Sequence, residues 1–435
     1  MTRPQDKNLG GEFFLFCFTK NKIGVVNMSR WKYPLMLLGG IGISNVGGWV
    51  YLIALNLIIL NETGSPLAIA LLYILGPIAT ICSNAWAGSL IDRVNTRRLM
   101  IGLDVFRALC IASIPFLPSL IYVYILAFII NIGSAIFQPT SMVYMTKLIP
   151  EKDRQRFNAL RSFINSCGSL IGPAIAGILF WMGTPYNAIH VNAVALFLSA
   201  LIIMMLPNVD SRLIETEGQR FTWDMIKNDF RVVFKFSKDY TYVTKIYLLF
   251  SGTTIFMTAI DSLEAAFAKG ELSISDTNYG FLLSVFGAGI IIGSIINSVF
   301  SKQLAVNLLI GFGTISTSIG YIVLYSSNGF LSAAPGVFLI GFAVTFANTG
   351  YLTFYQNHVP VRMMGRFGSI FSVIEAGFIV ALTVLIGLAA ELTSIRPVGL
   401  IGSFAFFLFG LMALKAVSGA KRKEYFKKGA ASLNS

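Results

Sequence analysis

Gly88-Ser89-Leu90-Ile91-Asp92-Arg93-Val94-Asn95-Thr96-Arg97-Arg98 is the stretch on which the fold turns. It is a short charged turn between two apolar runs, 66 to 90 and 98 to 118, each near the ~20 residues that cross a bilayer core as helix. Gly88 allows close helix approach. Asp92 suits helix N-terminal amides or a guanidinium, and Arg93, Arg97 and Arg98 suit a bridge to another part of the chain or to anionic lipid. A turn of this kind between two lipid-length runs points to a membrane hairpin.

Working outward, similar runs lie at 33 to 60, 120 to 146, 158 to 181 and 187 to 206, which completes a first set of six. A second set follows at 243 to 267, 279 to 300, 305 to 326, 332 to 355, 367 to 392 and 397 to 417. The composition agrees: 55% of the 435 residues are apolar and 12% charged, and the mean hydropathy is +0.73, so the main solvent is lipid. The net charge of +13 would suit nucleic acid only if the basic residues gathered on one wet face. They sit instead in short gaps between apolar runs. Of 33 Lys and Arg, all but Arg107, Lys269 and Arg396 fall on the side shared by both termini, and by the positive-inside rule the other 30 mark the cytoplasm.

The expected organisation is a cytoplasmic segment 1–32, a six-helix bundle 33–206, a cytoplasmic linker 207–242, a second six-helix bundle 243–417 and a basic cytoplasmic tail 418–435. In the linker, Trp223, Ile226, Phe230, Val233 and Phe234 recur at helical spacing, which predicts an amphipathic helix on the membrane surface. Phe13 to Phe18 is too short to span and lacks a signal-peptide cleavage pattern; the expectation is that translation begins at Met28. An internal repeat links the bundles. Leu148-Ile149-Pro150 and Arg156-Phe157 have counterparts at His358-Val359-Pro360 and Arg366-Phe367, an offset of 210 that also carries Gly88 onto Ser298 and Asp92 onto Lys302. Duplicated halves are a common construction of secondary transporters.

Taken with its surroundings, the 88–98 stretch resembles the signature loop of the major facilitator superfamily, which runs Gly, three residues, Asp, Arg, one residue, Gly, then two basic residues. The second glycine is Asn95 here, the next-best residue at a left-handed backbone position. The resemblance widens through Thr63-Gly64-Ser65-Pro66, Arg97 to Ile101 with Asp104 and Arg107, Phe137-Gln138-Pro139, Gly172-Pro173 with Gly177, and Gly365-Arg366. Over residues 30 to 417 it looks like the branch that holds macrolide and enterobactin exporters. That implies an all-α membrane protein with twelve transmembrane helices in two six-helix bundles, which rock about a central cavity. It further implies a gating loop at Gly88, Asp92, Arg93, Arg97 and Arg98, and efflux of a small amphipathic substrate driven by protons. The protein would be a monomer in the plasma membrane, among lipids, with both termini cytoplasmic and no nucleic-acid partner. Gly168, Gly172, Pro173 and Gly177 resemble the kinked fifth-span element of antiporters, although Ala176 replaces a second consecutive glycine. Small-residue packing plus a proline kink accounts for the same residues. The fourth-span arginine of many proton antiporters is missing; Ile129 holds its place.

Intramembrane charge is expensive and usually functional, which singles out Asp104, Arg107, Asp261, Glu264 and Glu375. Asp104 and Arg107, three apart on one helical face, read as a structural ion pair. Glu375 lies about eight residues into its span, roughly 12 Å deep, with no basic residue near it in sequence, and is the first choice for proton coupling or substrate contact. Asp261 and Glu264 stand behind it, toward the outer mouth, as cation-attracting or merely wet vestibule residues. The four cysteines show no disulfide or metal spacing. His190 and His358 are the only histidines, so no catalytic residue, metal site or cofactor is expected and the chain does not read as an enzyme. A lipid or nutrient transporter of the same fold, and a membrane sensor that binds without flux, stay open.

Overall fold

The computed structural model describes residues 28–210, 223–300 and 303–418. The segment 1–27, Lys302 and the tail beyond 418 lie outside the described residues. So do the side chains of Asp92, Arg93, Trp223 and Ile226.

Twelve helices among the described residues are long and apolar enough to cross a membrane. The first six are α1 (Met28–Thr63), α2 (Pro66–Arg93), α3 (Thr96–Ser113), α4 (Leu120–Leu148), α5 (Glu151–Met182) and α6 (Pro185–Met204). A linker helix, α7 (Trp223–Asp239), precedes α8 (Thr241–Asp261), α9 (Asp276–Val299), α10 (Val306–Tyr325), α11 (Phe330–His358), α12 (Val361–Leu392) and α13 (Ile395–Ser418). We call the face that carries Met28 and Ser418 the terminal face, and the opposite one the far face.

Local chemistry explains the helix ends. Gly64 ends α1 with a left-handed backbone, φ 64°, and Ser65 then caps α2 by accepting from the Ala68 amide, with Pro66 in the first turn. Asn95 corrects the sequence reading. Its φ of −60° and ψ of 114° are extended rather than left-handed, and its side chain caps α3 by accepting from the Arg98 amide. The offset of 210 extends to whole elements. It carries α4 onto α11 and α5 onto α12 at both ends, and the first residues of α2, α3 and α6 onto those of α9, α10 and α13. Even the cap repeats, because Ser275 accepts from the Asn278 amide at the start of α9.

In the first half α1 packs on α5 and α6, α3 on α4 and α6, and α2 on α4; in the second, α11 packs on α9 and α10, α10 on α13, and α8 on α12 and α13. The halves meet along α5 with α9 and α2 with α12. Glycines set how close they come. A Cβ at Gly280 would lie 2.6 Å from the Gly177 Cα and 2.9 Å from the Pro173 carbonyl, and one at Gly287 would lie 2.3 Å from the Ser169 carbonyl. Backbone approach of this kind is the small-residue packing expected in lipid. On the linker helix, Val233 and Phe236 are buried while Phe230 and Phe234 are exposed. Phe236 meets Phe367 edge-on at 5.7 Å.

One span departs from the expected continuous run. α8 stops at Asp261, Ser262 and Leu263 follow, and the chain resumes as a short turn Glu264–Ala266 and a wide turn Phe267–Glu271, with the Leu272 amide bonded to the Phe267 carbonyl. Asp261 and Glu264 therefore flank a break in the helix.

Candidate functional site

Where the halves separate, on the terminal-face side of Gly287, a central cavity of about 580 Å³ opens. Its lining is unusually polar for a membrane interior, and most of it comes from the first half. Ser162, Asn165, Ser166 and Ser169 form one stripe of α5, and Arg161 begins it. Asn45 on α1 donates to the Asn165 carboxamide at 3.1 Å. Apolar surface comes from Trp49, Phe137, Ile41 and Ile290 among others.

Arg107 also faces this cavity. It pairs with the fully buried Asp104, donates to Ser134 Oγ at 3.0 Å, and lies over the Phe137 ring at 4.7 Å. Ser199 donates to the second Asp104 oxygen at 2.8 Å. A Cβ at Gly133 would meet the Arg107 side chain at 3.0 Å, so α4 leaves room for an arginine supplied by α3.

Trp49 separates this cavity from a second pocket of about 150 Å³ toward the far face, and lines both. The indole is held by Gly172, where a Cβ would lie 2.5 Å from Trp49 Cβ. Asp261 and Glu264 line the smaller pocket with Asn56 and Tyr73 from the first half and Tyr279 from the second. Tyr321 donates its hydroxyl to Asp261, and the Asn56 carboxamide donates to the Tyr73 hydroxyl at 3.4 Å. Glu264 Oε1 and Asn56 Oδ1 are buried without a hydrogen-bond partner. Among the described residues no basic side chain lines this pocket; Lys269 pairs with Asp276, and Arg396 with Glu271 at 3.5 Å.

Glu375 lies elsewhere. It is half-buried on α12 beside Ser251 and Tyr247 of α8, next to an aromatic group that includes Phe367 and Phe371. Ser251 precedes Asp261 by ten residues on the same helix, about 15 Å of rise, so the structure does not bring Glu375 to the acid pair. It lines neither pocket, whereas its repeat counterpart Asn165 lines the central cavity.

Outside the pockets, two polar clusters hold the two faces. At the far face Glu391 of α12 accepts from Ser65 Oγ at 2.6 Å and from the Leu67 amide at 3.5 Å, placing a carboxylate on the N-terminus of α2 in the other half. Beside it a Cβ at Gly387 would come within 2.6 Å of Ala70 Cβ. At the terminal face Asp210 accepts from the Thr96 amide and hydroxyl at 2.6 and 2.7 Å and from Lys147 at 2.6 Å. Burial opposes its charge, but Lys147 and the Thr96 donors outweigh that and hold its carboxyl below the usual carboxylate range. Arg97 donates to the Ile203 carbonyl at 3.3 Å and to that of Met204, capping the end of α6 within its own half. Arg98 is exposed at the surface.

Sequence reasoning missed Arg161, Asn56, Tyr73, Tyr279, Tyr321 and Asp210. Arg161 was grouped with the basic residues of the cytoplasmic ends, yet Ser162, Asn165, Ser166 and Ser169 follow it at helical spacing, a polar stripe inside an apolar run. Asn56, Tyr73, Tyr279 and Tyr321 come together only through tertiary packing, and Asp210 meets Thr96 and Lys147 the same way.

Duplicated six-helix halves around a polar cavity are an architecture on which many secondary transporters are built. A family model described as Major Facilitator Superfamily matches residues 37–382, and the chain belongs to that superfamily. It is 29% identical over 177 residues to an uncharacterized MFS-type transporter, YfiS, of Bacillus subtilis (strain 168), covering 40% of this chain and 42% of that protein. It is 24% identical over 222 residues to the multidrug efflux pump Tap of Mycolicibacterium fortuitum, covering 46% and 54%. The chain thus spans about half the length of these two relatives. Against macrolide efflux protein A of Streptococcus pyogenes the identity is 21% over 373 residues, 83% of this chain and 89% of that one. Among solved structures, the nucleoside transporter NupG superposes with a TM-score of 0.69 at 13% identity, over 89% of this chain and 99% of that one. A bacterial homolog of the human lysosomal transporter Spinster gives 0.66 at 15% identity, over 91% and 97%. These likenesses concern the fold.

Proposed function

We propose that the protein exports a small amphipathic molecule from the cytoplasm across the plasma membrane in exchange for protons, its terminal face being the cytoplasmic one. The observation that carries the reading is the acid pair Asp261 and Glu264, set at a helix break between the two halves and one tryptophan away from the central cavity. Two carboxylates in one small pocket with no basic partner among the described residues repel each other, and a proton between them removes that cost. The buried, partnerless Glu264 Oε1 is where such a proton would reside. Asn56 and Tyr73 belong to the other half, so protonation and the approach of the halves meet in one pocket. Support for the outward direction comes from relatives named as efflux proteins.

Everted vesicles carrying a proton gradient test this, with a panel of macrolides, lipophilic cations and siderophore-like compounds. The expected result is compound-dependent dissipation in the wild type that is lost in Asp261→Asn and Glu264→Gln and kept in Glu375→Gln. Dissipation lost only in Glu375→Gln would move coupling to α12. No dissipation with any compound would return the protein to lipid transport, nutrient uptake or sensing.

A further inference from the structure

We infer that the central cavity takes an amphipathic anion, with its carboxylate or phosphate group held by Arg161. The inference rests on the reading of this cavity as the transport site, and adds the charge of what enters it.

Charge accounting around the cavity leads there. Among the described residues no Asp or Glu lines it, and the arginines that do are Arg107 and Arg161. Arg107 is already neutralised by Asp104, which stands behind it with Ser199. Arg161 has no carboxylate partner among the described residues. Its Nε is buried without any acceptor, and Nη1 reaches only the Met142 sulfur, at 3.7 Å. A half-buried guanidinium whose Nε has no acceptor and which has no counter-charge among the described residues is under-satisfied, and an entering anion supplies what the site lacks. Arg suits this use because its fork matches two oxygens of a carboxylate or phosphate at once.

The surroundings complete the site. Ser162 and Ser166 follow Arg161 on α5 and line the same cavity, offering hydroxyl donors beside the charged group. Trp49 and Ile41 also line the cavity, which suits the apolar part of the same molecule. A lipophilic cation meets the opposite conditions here, a guanidinium without a carboxylate partner among the described residues. The carboxylates Asp261 and Glu264 lie beyond Trp49 in the smaller pocket.

Three probes that share one apolar group and differ in charge decide the matter: dansylglycine (anionic), dansylamide (neutral) and dansylcadaverine (cationic). Binding to the purified full-length protein is read by energy transfer from its five tryptophans to the dansyl group, the part of the signal lost in Trp49→Phe giving the location. The expected result is that dansylglycine binds about tenfold or more tightly than dansylamide. That preference disappears in Arg161→Gln and persists in Arg161→Lys, with size-exclusion profiles alike for all three proteins. Tighter binding of dansylcadaverine, no binding of dansylglycine, or an anion preference that survives Arg161→Gln would each overturn the inference. Gradient-driven flux in everted vesicles separates it from the reading beneath it. Anion-selective binding without flux sinks export and leaves the anion site, whereas flux of dansylcadaverine alone sinks the anion site and leaves export.

Discussion

Asp210 shows how one side chain outside the lipid can fix several elements. Its side chain is 7% exposed, and it ties the start of α3, the end of α4 and the chain that leaves α6 through Thr96, Lys147 and its own position. Because the folded carboxyl is held below the usual range, its stabilising effect is complete above the unfolded value of about 4. It is lost as pH falls through the lower, folded value. Asp210→Asn is therefore expected to cost about 1 to 2 kcal/mol at pH 7. Thermal unfolding of the detergent-solubilised protein should show a gap between variant and wild type that is constant from about pH 5 to 8 and closes in stronger acid. A gap that stays open at the acid end would show that the carboxylate charge is not what matters.

At the scale of elements, Ser65 and Ser275 form a natural experiment. Each caps the first turn of its helix in the same way, but only Ser65 also donates to Glu391 across the far face. Loss of either cap is expected to cost about 1 kcal/mol locally. Hydrogen exchange should therefore quicken at the Ala68 amide in Ser65→Ala and at the Asn278 amide in Ser275→Ala. Only Ser65→Ala should also quicken exchange in the last turn of α12; equal effects there would mean that the Glu391 contact is idle. These elements were largely legible in the sequence, because a hydrophobic run of lipid length has few alternatives to helix and Gly64, Ser65 and Pro66 mark a helix boundary by their own chemistry. Asp261 and Glu264 were legible as costly charges. Their tyrosine and asparagine neighbours were not, since Tyr73, Tyr279 and Tyr321 come from three helices and nothing in their spacing predicts which faces meet. The break after Asp261 also escaped notice, because no Gly or Pro marks it.

For the whole molecule, the near approach of Gly387 to Ala70 offers a direct test of alternating access. In a background without the four native cysteines, Ala70→Cys with Gly387→Cys should crosslink on oxidation, a shift of about 1 Å sufficing to reach disulfide geometry. Transport should stop and return on reduction, while a cysteine at Ser162 stays open to reagents from the terminal face throughout. Transport that continues with the bond in place would mean that the far face need not part. The connections between helices bear on what moves. Only two residues join α1 to α2, α2 to α3, α4 to α5, α5 to α6, α11 to α12 and α12 to α13, whereas residues 205–222 separate α6 from α7. Joints so short have no slack, and a helix that tilts must drag its neighbour with it. Each half is thereby a stiff lever that turns on the glycine seam, and a small local push at the seam becomes a wide swing at the opposite rim.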